Sequence, residues 1–129
     1  MNFVQAVKAY FTKWNDFRSR SSRSEYWWAT LFVTFAPFPL VLVAGFISAI
    51  FSLGFSPETV EIIRAILILI MYVFIIIAGT CLVIRRFHDL DKSGWWYLLV
   101  FTIVGIIPVI YWLCCKGTDE SNRFGDDPL

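Results

Sequence analysis

Three runs along the chain carry no charged residue, 26–51, 65–84 and 95–115. Each reaches or exceeds the roughly 20 residues needed to cross a hydrocarbon core of about 30 Å, so the pattern predicts three transmembrane helices. Ahead of them, residues 2–15 place Phe3, Val4, Val7, Tyr10, Phe11 and Trp14 on one side at helical spacing, with Gln5, Lys8, Thr12 and Lys13 elsewhere. That segment reads as an amphipathic helix lying in the membrane interface, its apolar face toward the acyl chains and its lysines near the phosphates. A helix packed on the rest of the protein is the alternative. The predicted architecture is an all-α membrane protein, an N-terminal interfacial amphipathic helix followed by three transmembrane helices. It forms a single membrane domain over 1–129, with 116–129 as a polar tail.

Local signals refine the spans. Ser22-Arg-Ser-Glu25 fits a capping box, which starts the first helix near Arg23. From there to Phe51 a straight helix would measure about 40 Å at 1.5 Å per residue, longer than the core, so a tilt or a kink is expected. Pro37 and Pro39 are the kink site. Ala44, Gly45, Ser48 and Ala49 form overlapping small-residue pairs four apart, a face that lets another helix approach closely, in the monomer or in a homo-oligomer. The second run is rich in Ile and Leu all round and should largely face lipid. The third holds Gly105 and Pro108, which bend it or break it into a re-entrant pair.

Composition excludes a water-soluble globule: 58% of residues are hydrophobic and 19% aromatic, and the mean hydropathy is +0.68. The first apolar run begins too late and runs too long for a cleavable signal peptide, so it is expected to remain in the mature protein. Cys81, Cys114 and Cys115 lie in or at the ends of the runs, without disulfide or metal spacing, and read as small buried hydrophobes. A net charge of +1 gives no reason to expect nucleic acid as a partner.

The placement of charge is more informative than its sum. Two clusters end in tryptophan pairs directly before apolar runs: 18–28, with Arg18, Arg20, Arg23 and Glu25 before Trp27-Trp28, and 85–96, from Arg85-Arg86 to Trp95-Trp96. The N-terminal segment and the second loop hold eight Lys and Arg; Arg64, Lys116 and Arg123 make three on the other side if all three runs span. The positive-inside rule then places the N-terminus in the cytoplasm. A re-entrant third segment would return the tail to that side.

The same clusters hold the candidate chemistry. Arg20, Arg23, Arg85, Arg86 and Lys92, with Ser93-Gly94 at the start of the third run, would form an anion site at lipid-phosphate depth, and anionic headgroups are the nearest ligands. The alternative is an orientation signal with an aromatic belt. Glu25 or Asp89 is expected to pair with Arg85 or Arg86, tying the loop to the N-terminal segment. His88 could act as a general base oriented by Asp89 or Asp91 near a lipid phosphate. It is the one histidine, so no metal site and no cofactor is expected. The spans lack ionisable groups, which disfavours a monomeric conduit but leaves an oligomeric pore open.

Several of these residues also fall into ordered motifs. Phe17-Arg-Ser-Arg20, Arg23-x-Glu25-Tyr-Trp, Arg85-Arg-x-His-Asp89, Lys92-Ser-Gly-Trp95, Gly117-Thr and Asn122-Arg-Phe-Gly-x-Asp-Pro128 together resemble the bacterial inner-membrane family called domain of unknown function 805. Ser19 stands where that family usually has Gly. The resemblance implies a small inner-membrane protein and no established activity. The residues themselves support a non-enzymatic module whose cytoplasmic face binds anionic headgroups or a membrane-protein partner. The alternatives are a lipid-modifying enzyme using His88 and Asp89, and an oligomeric pore.

Overall fold

A computed structural model describes residues 1–128. Its elements are helices α1 (Phe3–Thr12), α2 (Arg23–Phe35), α3 (Pro37–Phe51) and α4 (Pro57–Asp89), a 3₁₀ helix (Gly94–Phe101) and α5 (Ile103–Cys114). No strand occurs among the described residues; Asn122 and Gly125 form an isolated bridge. Two helices are long and apolar enough to cross a membrane, Arg23–Phe51 taken as one and Pro57–Asp89. The chain forms two compact units, Met1–Thr30 with Ile77–Leu129, and Leu31–Ile76.

In the first unit α1 begins at an unforeseen capping box, in which Gln5 N–H donates to Asn2 and the Asn2 N–H to the Gln5 side chain, at 2.9 and 3.0 Å. Ala6, Ala9 and Tyr10 are buried, while Phe3, Val4, Phe11 and Trp14 remain exposed. The edge of Ala6, Ala9 and Tyr10 therefore packs on the protein, and the rest of the apolar face is left open. Two contacts hold the helix in place: Phe3 meets Trp28 edge-on at 5.7 Å, and the N-terminal ammonium donates to Ser24 Oγ at 3.2 Å.

The capping box expected at α2 is half made. Glu25 N–H donates to Ser22 Oγ at 3.2 Å, but the Glu25 carboxylate turns to Arg85 instead of back to the helix start. A charge-assisted bond to a guanidinium outcompetes a neutral amide. The Pro37-Pro39 kink site coincides with the break between α2 and α3. Ala36 keeps right-handed helical angles there and still donates to the Phe32 carbonyl at 2.8 Å, so the backbone carries on through the break in helical conformation.

Helix α4 starts earlier and ends later than the run 65–84 suggested. Pro57 occupies the first turn behind Ser56, whose Oγ accepts from Thr59 N–H at 3.3 Å. Its 33 residues measure about 50 Å. The segment read as a basic loop, Arg85 to Asp89, is the last turn of this helix. There the cations Arg85 and Arg86 meet the negative end of the helix dipole. The helix stops in a Schellman arrangement, with Lys92 N–H donating to the Phe87 carbonyl and Asp91 N–H to the His88 carbonyl. Asp91, at φ 54°, takes the left-handed position usually given to Gly.

The third apolar run is not one helix. Gly94–Phe101 is 3₁₀, Thr102 is extended, and α5 follows with 12 residues, about 18 Å long and short of the hydrocarbon core. The interruption falls at Thr102, not at Gly105 or Pro108. Thr102 Oγ1 accepts from Gly105 N–H at 3.1 Å and caps the new helix. Gly105 has no room for a side chain, because a Cβ there would collide with the Leu99 carbonyl and the Thr102 hydroxyl. Trp96 and Trp112 close the joint edge-to-face at 5.5 Å.

In the second unit α3 buries no residue. Ala44 and Ser48 line an apolar groove of about 260 Å³ with Val60, Ile63 and Leu67, and a Cβ on Gly45 would meet open space. The small-residue face is thus partly turned toward α4 and partly open. Packing density predicts contrasting substitutions. Ala78→Leu, on the buried face of α4, should cost about 1–3 kcal/mol by overpacking. Gly45→Ala should be neutral or slightly stabilising. Thermal unfolding in detergent followed by tryptophan fluorescence checks both.

Candidate functional site

The buried face of α4 runs Ala78, Cys81, Leu82, Arg85, Arg86, Asp89, the three- and four-residue spacing of one helical stripe. The stripe therefore changes from small apolar groups to ionic ones without leaving the interior. Arg85, Arg86 and Asp89 are each less than 5% exposed, as are Arg20 and Glu25 from the N-terminal segment. Buried charges at this density must be paired and hydrogen-bonded.

Asp89 is shared by two guanidiniums. Arg20 donates from Nε and Nη2 to Asp89 Oδ1 at 3.1 and 2.9 Å, and Arg86 donates to the other carboxylate oxygen. Arg20 also reaches the carbonyls of Thr118, Glu120 and Gly125 at 2.7, 2.8 and 3.2 Å. Arg86 reaches the carbonyls of Ser21 and Leu113 at 3.3 and 3.4 Å, and that of Cys115. The second pair, Arg85 with Glu25, is 2.8 Å long. Three segments distant in sequence thus meet on one helix end: 18–25, 85–89 and 113–125.

Of the pairings expected, Glu25 with Arg85 and Asp89 with Arg86 are both present. The five cations proposed for one anion site are not gathered. Arg20, Arg85 and Arg86 are interior groups with internal partners. Arg23 is exposed and forms no ion pair among the described residues. Lys92 lies with its ammonium 4.6 Å from the centre of the Trp112 ring. Ser93 caps the 3₁₀ helix, accepting from Trp95 N–H at 3.4 Å, and Gly94 is pressed against Ile84, 2.7 Å from where a Cβ would stand.

His88 and Asp89 point to different partners. The His88 Nδ1 lies 3.3 Å from the Ser19 carbonyl, and since a carbonyl can only accept, Nδ1 carries the proton. One face of the ring stacks on Phe124 at 3.8 Å and 3°. Asp89, already held by two arginines, does not orient it. No three His, Cys, Asp or Glu side chains gather into a metal-sized group among the described residues.

Two contributors carry little sequence signature. The polar tail supplies carbonyl acceptors for Arg20, and Thr118 N–H donates to the Asp89 carbonyl at 2.9 Å. Gly117 is obligatory there, because a Cβ would collide with the Asp89 carboxylate. Cys81 donates its thiol to the Asp16 carbonyl at 2.7 Å, fastening the N-terminal linker to α4. Asp16 itself accepts from Ser19 Oγ at 2.5 Å and from the Arg18 and Ser19 amides. Burial pushes the Asp16 carboxyl up, but the Ser19 hydroxyl, those amides and the Arg85 charge outweigh it and hold it below the ordinary value. Ser19 is not among the residues with positive φ, so Gly is not required at that turn.

A second cavity wall forms beside the ion pairs. Ser22, Arg23, Asp89, Lys116, Thr118 and Asp127 are among the residues around a space of about 220 Å³, with Lys116 paired to Asp119 at 2.5 Å. Removing Asp89 would leave two buried guanidiniums without a counter-charge, so Asp89→Ala should destabilise the protein by about 3–5 kcal/mol. Gly117→Ala should lower the melting temperature too, by displacing the same carboxylate. An unchanged melt for Gly117→Ala would show that the tail does not hold the cluster.

Compared with known proteins, the chain matches over residues 14–126 the model of a family described as "Protein of unknown function (DUF805)". It is 34% identical to Inner membrane protein YhaH of Escherichia coli strain K12 over 98% of this chain and 94% of that protein. It is 32% identical to Inner membrane protein YhaI of the same strain, over 87% and 85% respectively. No solved structure matches.

Proposed function

We propose, on the premise that the chain belongs to the DUF805 family of proteins of unknown function, that it is a non-enzymatic inner-membrane module whose cytoplasmic end binds anionic lipid headgroups. The observation that carries this reading is the division of the cations. Arg20, Arg85 and Arg86 are consumed inside, whereas Lys8, Lys13, Arg18, Arg23 and Lys92 form no ion pair among the described residues. Each such cation near an anionic leaflet is worth about 1 kcal/mol. Arg23, beside the cavity of about 220 Å³, would receive one lipid phosphate together with Lys116, which would exchange its exposed Asp119 partner for it.

Orientation follows from the same division. Every Lys and Arg except Arg64 lies in Met1–Thr30 or Ile77–Leu129, and the tail is hydrogen-bonded to the end of α4. With α2–α3 and α4 as the two spans and the 3₁₀ helix and α5 as a re-entrant pair, both termini face the cytoplasm, as the positive-inside rule favours. The exposed apolar face of α1 then lies in the interface.

Two measurements test this. A fluorescent protein fused after the tail should fluoresce and an alkaline phosphatase fusion should be silent; the reverse pattern would restore a third full span. In native mass spectrometry of detergent-extracted protein, the wild type should retain anionic phospholipid. Arg23→Gln/Lys116→Gln should lose several-fold of it while melting normally. Equal retention in the two proteins would remove the headgroup site.

A further inference from the structure

The first unit holds another cavity, of about 480 Å³, that the headgroup reading does not use. One wall is the face of α4 carrying Thr80, Ile84 and His88, spaced by four, and the other is the 3₁₀ helix with Leu98 and Phe101, with Ser93 also in the lining. From Thr80 to His88 the wall extends about 12 Å along the helix. It is polar at the His88 and Ser93 end and chiefly apolar beyond. Trp95 and Phe101, at its flank, are 79% and 80% exposed, which suits contact with acyl chains.

We propose that this cavity seats one hydrocarbon tail of a membrane lipid, with a hydroxyl of the lipid head donating to His88 Nε2. The size is that of small-molecule sites, about 300–1,000 Å³. The graded lining fits an amphiphile, not a water-soluble solute. The head chemistry follows from the imidazole. His88 is 6% exposed, its Nδ1–H is committed to the Ser19 carbonyl, and Phe124 clamps its plane. In a neutral ring with its proton on Nδ1, Nε2 is an acceptor and therefore selects a donor. A glycerol hydroxyl supplies one, whether from phosphatidylglycerol or from diacylglycerol. Phosphatidylcholine has none.

The test is native mass spectrometry of the full chain, extracted from nanodiscs containing phosphatidylcholine with either phosphatidylglycerol or diacylglycerol. Wild type should retain the hydroxyl lipids over phosphatidylcholine. His88→Phe, which keeps the stack on Phe124 and removes the acceptor, should lower that preference about three- to tenfold, the worth of one hydrogen bond. Leu98→Trp and Thr80→Phe, which fill the cavity from opposite walls, should reduce retention of every lipid by one molecule. If both filling variants melt like wild type and retain the same lipids, or if His88→Phe keeps the preference, the proposal is overturned. Retention of phosphatidylglycerol without diacylglycerol would make the phosphate part of recognition and identify the anionic lipid as the source. The outcome is separable from the headgroup site: loss in Arg23→Gln/Lys116→Gln with no change in the filling variants refutes the tail cavity alone, and the converse refutes the headgroup site alone.

Discussion

One carboxylate, that of Asp89, holds together the three segments that make up the polar end of the first unit. Its two oxygens receive separate arginines, one from the linker before α2 and one from its own helix. The backbone of the same residue accepts from Thr118, and Gly117 has no side chain because the carboxylate occupies that volume. A single acid thus sets the register of linker, helix end and tail at once. Replacing its side chain with a hydrophobe would remove the partner of both arginines at once, and buried ion pairs of this kind can fix geometry more than they add stability.

The cluster is nevertheless not charge-neutral. Three buried arginines face two buried carboxylates, and the excess is met by carbonyls: those of Thr118, Glu120 and Gly125 around Arg20, and those of Ser21, Leu113 and Cys115 around Arg86. Guanidinium suits this arrangement because it presents five donors in a plane and stays charged. A lysine could not distribute itself over so many acceptors. Arg85 is the least satisfied member, with Nε lacking a partner, as do Glu25 Oε2 and Ser21 Oγ. Those three atoms define the part of the cluster where an ordered water would be most favourable.

What could be read from the sequence followed from hydrophobic length and charge placement. The two long apolar helices, a helix break beside Pro37 and the pairing of Glu25 and Asp89 with Arg85 or Arg86 were legible, because each follows from residue type and from charge set at the ends of apolar runs. The division of 95–115 was not, since the run is uniformly apolar and the interruption rests on one threonine capping Gly105. The continuation of α4 through Arg85–Asp89 was hidden for the opposite reason. Charge suggested a loop, yet the spacing of Ala78, Cys81, Leu82, Arg85, Arg86 and Asp89 already had helical period. The tail was the least legible part, because its contribution is made mostly by backbone carbonyls, which carry no sequence signature.

A buried ionic face at the end of an apolar helix also constrains where the protein can sit. Unpaired, charged side chains at the centre of a bilayer would each cost several kcal/mol, and even paired ones require carbonyl acceptors that a bare transmembrane helix has already used. Here those acceptors come from irregular backbone in the linker and tail, which is tolerated at membrane depth only where protein or water covers it. The cluster, its irregular supports and the exposed cations around it are therefore mutually dependent. Without the carbonyls the guanidiniums lose their acceptors, and without the guanidiniums the linker and tail lose what gathers them at the end of α4.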